Sequence, residues 1–78
     1  MFTIKQVYKD LDNPKRSQIK LWEGSNISTS YNAETERAEL HFMMPDGATC
    51  TLDNGLLYVM NSSGKTVEIV RLHGSEWF

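Results

Sequence analysis

Apolar and polar residues alternate most regularly between residues 38 and 70 of the chain. In Ala38-Glu39-Leu40-His41-Phe42-Met43-Met44 every second side chain is small or apolar, with Met43 as the exception. A period of two puts such a run in a strand with one buried face. Pro45-Asp46-Gly47 stops it, because proline is preset for a turn and glycine tolerates positive φ. Alternation resumes over Ala48–Leu52 and ends at Asp53-Asn54-Gly55. Asn-Gly is the strongest short hairpin signal, since a type I′ turn needs positive φ at both central residues. A third strand spans Leu56–Met60, a turn follows at Asn61-Ser62-Ser63-Gly64-Lys65, and a fourth strand covers Thr66–Leu72.

These turns predict a four-strand antiparallel ribbon with a fixed register. A two-residue loop at Asn54-Gly55 sets Leu52 opposite Leu57 and Cys50 opposite Val59. A three-residue loop at Pro45-Asp46-Gly47 sets Phe42 opposite Cys50 and Leu40 opposite Leu52. At Ser62-Ser63-Gly64 a three-residue loop pairs Val59 with Val67 and Leu57 with Ile69. A four-residue loop would carry Glu68 onto the apolar face at a cost of several kcal/mol, so the shorter loop is expected. One face then reads Leu40, Phe42, Met44, Ala48, Cys50, Leu52, Leu57, Val59, Val67 and Ile69, and this is the predicted core. The other reads His41, Met43, Thr49, Thr51, Tyr58, Met60, Thr66 and Glu68, a polar face with more apolar area at Met43, Tyr58 and Met60 than exposure requires.

The first half is less regular. Thr3-Ile4-Lys5-Gln6 fits a capping box, with Phe2 and Val7 placed for a hydrophobic staple. Ile4, Val7, Tyr8 and Leu11 follow at helical spacing, and Asp12-Asn13-Pro14 ends the run. The rival strand over Phe2–Tyr8 uses Phe2 and Ile4 but leaves Val7 facing away, so the helix is preferred. Gln18–Trp22 reads as a strand with Ile19 and Leu21 on one face and Trp22 on the other. A turn at Glu23-Gly24-Ser25-Asn26 leads to a hydroxyl-rich strand at Ile27–Tyr31. The expected fold is therefore a single α+β domain over residues 1–78. One short N-terminal helix packs on a curled antiparallel sheet of five to six strands, and an all-β small barrel is the alternative.

Size and charge narrow the function. A chain of 78 residues is near the limit at which one core suffices. The longest apolar run, Leu56–Met60, is far short of the roughly 20 residues of a membrane span, and no apolar leader opens the chain, so a cytoplasmic location is expected. Lys5, Lys9, Lys15, Arg16 and Lys20 face Asp10 and Asp12 in the first 22 residues, while residues 23–58 carry six acids against Arg37. Five cations interleaved with two acids make a poor phosphate footprint.

No catalytic set is legible. Gly64-Lys65-Thr66 ends like a phosphate-binding loop, but the glycine required five positions earlier is Val59, and a hairpin is not a strand feeding a helix. The register puts His41 and Cys50 on opposite faces, beyond hydrogen-bond reach. Asp46 and Asp53 sit in turns at opposite ends of one strand, roughly 20 Å apart. Two histidines and one cysteine lack the spacing of a zinc site, so no metal and no cofactor is expected.

The sequence thus predicts a non-enzymatic protein that binds another protein, in an inhibitory or regulatory capacity, by occupying its surface. Met43, Tyr58 and Met60 are the expected contact residues, with His41 beside them, because aromatic and thioether side chains are enriched in interface cores. Trp77 and Phe78 join them as large aromatics at a chain end, where they either cover the core or dock on another chain. A homodimer through a sheet edge or the open sheet face is the expected self-association. The alternative is a small β-rich nucleic-acid-binding module using Lys5, Lys9, Lys15, Arg16 and Lys20, with Tyr8 or Trp22 for stacking.

Overall fold

Residues Phe2–Lys9 form a strand, β1, and the expected N-terminal helix is absent. The computed structural model describes residues 1–10, 12, 13 and 15–75. Leu11 and Pro14, which the helix reading used, lie outside the described residues, as do Trp77 and Phe78. The remaining elements are β2 (Ser17–Asn32), β3 (Arg37–Met43), β4 (Thr49–Leu52), β5 (Leu56–Met60) and β6 (Thr66–Arg71). They make one open antiparallel sheet in the order β4-β3-β2-β1-β5-β6. The α+β expectation is therefore corrected, and the all-β alternative describes the fold, as an open sheet.

The helix lost because β1 is paired on both sides, with β2 along its whole length and with β5 from Thr3 to Val7. Two ladders of backbone hydrogen bonds plus one buried side outweigh a helical preference of a few tenths of a kcal/mol per residue. The period of two was hidden by Gln6, a polar residue in an inward position and only 6% exposed.

β2 is one strand where the sequence suggested two strands and a turn. Its first half pairs with β1 and its second half with β3. The predicted turn is a bulge between Ser25 and Ser28, with Asn26 at φ 53°. The extra residue switches the inward alternation from Trp22 and Gly24 to Ile27, and bends the strand. Gly24 faces the Phe42 ring, and a Cβ there would lie 2.4 Å from Phe42 Cδ2 and 2.9 Å from the Met43 carbonyl oxygen. Gly24→Ala is therefore expected to cost about 1–3 kcal/mol in a urea unfolding series, since neither a buried ring nor a ladder backbone yields freely.

The bend folds the inner face onto itself. Ile4 of β1 packs with Leu40 and Phe42 of β3, Leu52 of β4, Leu57 and Val59 of β5, and Leu72, all buried. Trp22 meets Phe42 edge-on, with ring centroids 5.9 Å apart.

The β3–β4 hairpin has the expected register, Leu40 opposite Leu52 and Phe42 opposite Cys50. The β4–β5 hairpin does not exist. Asn54 is absent from the positive-φ residues, so no type I′ turn forms, although Gly55 has φ 91°. The Gly55 amide donates to the His73 carbonyl and its own carbonyl accepts from Leu72, which ties this crossing to the end of β6. Leu52 and Cys50 consequently do not face Leu57 and Val59.

The β5–β6 loop has the three residues expected, closed by the Asn61 amide on the Lys65 carbonyl. A shift between Val59 and Met60 then sets Val59 opposite Glu68 and Leu57 opposite Val70. Val67 and Ile69, expected in the core, are 52% and 53% exposed, and Ala48 is exposed as well. Glu68 does reach the inner side, but at a sheet edge where its carboxylate stays in water, so the feared desolvation is avoided.

Candidate protein interface

Strand parity assigns every side chain of the β2-β1-β5-β6 half to one of two sides. Ile4 and Gln6 point inward, so Thr3, Lys5 and Val7 point outward, and their partners follow them. Three cross-strand rows result: Glu23–Thr3–Met60–Thr66, Leu21–Lys5–Tyr58–Ile69 and Ile19–Val7–Leu56–Arg71. Ile19 and Leu21 are 60% and 64% exposed, and Ile69 is comparably open. Val7, Tyr58 and Met60 are half-buried between them, and Leu56 is buried. The Lys5 ammonium lies 5.7 Å from the Tyr58 ring centroid, so its charge is held over an aromatic face within the patch. No helix covers this side among the described residues.

Ile19 and Leu21 on β2, and Tyr58 and Ile69 on β5 and β6, thus form an apolar surface joined through Val7 and Leu56, with Lys5 set within it. Isolated exposed apolar residues are ordinary, whereas a contiguous group of this kind marks a contact surface. The sequence did separate Ile19 and Leu21 from Trp22. It did not bring them beside Tyr58, because that needs β1 between β2 and β5.

The expected contact residues are only partly together. Tyr58 and Met60 share the outer face with the patch. Met43 and His41 lie on β3, with β2 and β1 intervening between them and β5. His41 is held in a polar strap across three strands. Its Nε2 is 2.7 Å from Ser30 Oγ and its Nδ1 is 3.0 Å from Thr51 Oγ1. Glu39 Oε1 is 3.5 Å from the same Nε2 that meets Ser30. Ser30 and the Glu39 carboxylate share one ring nitrogen, so they do not form a serine–histidine–carboxylate relay, and Thr51 holds the other nitrogen. Cys50 pairs with Phe42 and so points to the other side of the sheet from His41.

No family model, curated protein or solved structure matches the chain. The reading of this surface therefore rests on its own geometry.

The cations of the alternative reading are divided by the same parity. Lys5 and Lys9 point outward on β1. Lys20 points inward, its ammonium 4.2 Å from the centroid of the Trp22 ring, and Lys15 and Arg16 lie in the β1–β2 connection. Tyr8 faces inward on β1, as Trp22 does on β2. On the inner side, a cleft of about 290 Å³ opens beside the β2 bulge and the β5–β6 shift, lined by Phe2, Asn26, Ile27, Val59, Val67 and Glu68. Among the described residues, no three histidine, cysteine or acidic side chains gather as a metal would require. No helix among the described residues is long and apolar enough to cross a membrane.

Proposed function

We propose that this chain is a small protein-binding domain that acts by covering a partner's surface with the outer face of its β2-β1-β5-β6 half. The observation that carries the reading is the exposure of Ile19, Leu21 and Ile69 on the sheet face that also carries Tyr58, with Lys5 and Val7 of β1 between β2 and β5. Burying such residues supplies about 25 cal/mol per Å² of apolar area, and a sheet face does so with little loss of backbone freedom. Tyr58 and Met60 belong to the contact, while Met43 and His41 lie at its far margin. The partner's chemistry follows: a mainly apolar surface whose rim carries charges complementary to Glu23 and Arg71.

Affinity capture tests this with tagged wild type and tagged Leu21→Ser/Ile69→Ser, read both for other proteins and for an untagged copy of the chain. Both replaced side chains are largely in water, so thermal unfolding should change little. The double variant is expected to lose about tenfold or more of whatever the wild type retains, as truncation of central contact residues does. Equal capture by the two folded proteins would remove this face from the account.

A further inference from the structure

The outer face carries an arrangement of charge that names its own occupant. Its corner on β2 is Glu23 and the diagonally opposite corner, on β6, is Arg71. Three strand spacings and two double steps along the strands separate them, roughly 20 Å by ordinary strand dimensions. They cannot pair within one chain, and neither side chain has an ion pair or hydrogen bond among the described residues. The other two corners are Ile19 and Thr66, both uncharged. Between the corners lie Leu21, Lys5, Tyr58, Met60, Val7 and Leu56.

We propose that a second copy of this chain occupies the face, related by a two-fold axis running along the Ile19–Thr66 diagonal. This rests on the reading of the face as a protein contact and names the partner. Rotation about that diagonal sets Glu23 of each copy on Arg71 of the other, giving two equivalent ion pairs at the rim. It stacks Ile19 on its own counterpart and faces Leu21 toward Val7 and Leu56 of the second copy. Lys5 lies close to the axis, so its ammonium arrives between the second copy's Lys5 and Tyr58, with the two Tyr58 rings as its neighbours. Because the patch is nearly as wide as it is long, the axis lies about 45° from the strands. The two sheets then cross at close to 90°, one of the two ways in which sheets pack face to face. The other in-plane axes do worse. An axis across the strands sets Glu23 on Ile19 and Arg71 on Thr66, and an axis along them sets Glu23 on Thr66 and Arg71 on Ile19, so both leave the corner charges unpaired.

The patch is smaller than the roughly 800 Å² per partner of a standard interface, so the dimer is weak and needs concentrated protein. Sedimentation equilibrium from about 10 μM to 1 mM is the measurement, on wild type, Glu23→Arg, Arg71→Glu and the double reversal. Wild type is expected to shift from monomer to dimer across this range. Each single reversal alters two symmetric contacts from attraction to repulsion and should weaken the dimer about tenfold. The double reversal restores both pairs with their signs exchanged and should return to within about threefold of wild type. Both replacements sit on exposed positions, and thermal unfolding confirms that each chain folds. A wild type that stays monomeric throughout, or a double reversal no better than the singles, overturns the two-fold arrangement. A monomeric wild type whose captured partner is lost with Leu21→Ser/Ile69→Ser refutes the second copy alone and leaves the face as a contact for another protein. A dimer indifferent to Leu21→Ser/Ile69→Ser overturns both.

Discussion

A Gly55→Ala chain is expected to unfold about 3 kcal/mol more easily than wild type, whereas Gly64→Ala should cost only about 1 kcal/mol. Both glycines have positive φ, 91° and 84°, so both replacements carry the same conformational penalty. They differ in what the new methyl would meet. At Gly64 nothing lies within 4 Å, while at Gly55 the Val7 carbonyl oxygen would be 2.5 Å away and Tyr8 Cβ 3.2 Å away. Val7 belongs to β1, which is paired on both sides and cannot retreat without breaking a ladder. The Gly55 amide and carbonyl also bind His73 and Leu72, so displacement would release the end of β6. For a domain of this length 1 kcal/mol moves Tm by about 4–8 °C. The Gly55 variant should therefore lose about 12–24 °C and the Gly64 variant about 4–8 °C in a thermal melt. Equal losses would show that Gly55 serves only a local turn.

Gln6→Glu is expected to cost a similar amount near neutral pH and to recover in acid. The Gln6 amide nitrogen donates to the Asn54 carbonyl at 3.1 Å and to Asn54 Oδ1 at 2.9 Å, while its oxygen accepts from Trp22 Nε1 at 3.1 Å. A glutamate keeps the shape and the acceptor for Trp22. It replaces the donor with an oxygen facing two oxygens, in a position only 6% exposed. Burial and the missing donor bonds both disfavour the charged form, and the loss should be about 3 kcal/mol at neutral pH. The folded chain then holds its proton to higher pH than the unfolded chain, whose glutamate ionises near the ordinary value of about 4.3. Stability relative to wild type is accordingly greatest below that value and falls as pH rises from there through the folded-state value. Urea unfolding of both proteins at a series of pH values checks this. A difference that stays constant with pH would mean that the carboxylate is solvated and the Asn54 contact dispensable.

The Gln6 network also explains why the second half misled. Asn54-Gly55 has the composition of a tight hairpin, and nothing within ten residues of it argues otherwise. The bonds that keep Asn54 out of a type I′ turn come from Gln6, 48 residues earlier. In the same way Val67 and Ile69 alternate as core residues, and the shift that exposes them sits on the β5–β6 pair. The candidate face suffered most. Met43, Tyr58 and Met60 were rightly placed on one side of the strands. A β4–β5 hairpin would make them neighbours, whereas β1 and β2 separate Met43 from the others.

Short-range pattern by itself determined the four strands after residue 36, the β3–β4 register, the lengths of the β3–β4 and β5–β6 loops and the inward set Leu40, Phe42, Leu52, Leu57 and Val59. These depend on period-two alternation and on turns closed within a few residues, where loop-closure entropy is small and side-chain parity is strict. Only the tertiary structure decided that residues 2–9 are a central strand, that β2 runs through its bulge, and that Ile19, Leu21, Tyr58 and Ile69 share one open face. Each of these turns on pairings between segments many residues apart. Their hydrogen bonds and burial outweigh local propensities of a fraction of a kcal/mol, and a local pattern carries no record of which segment will lie alongside.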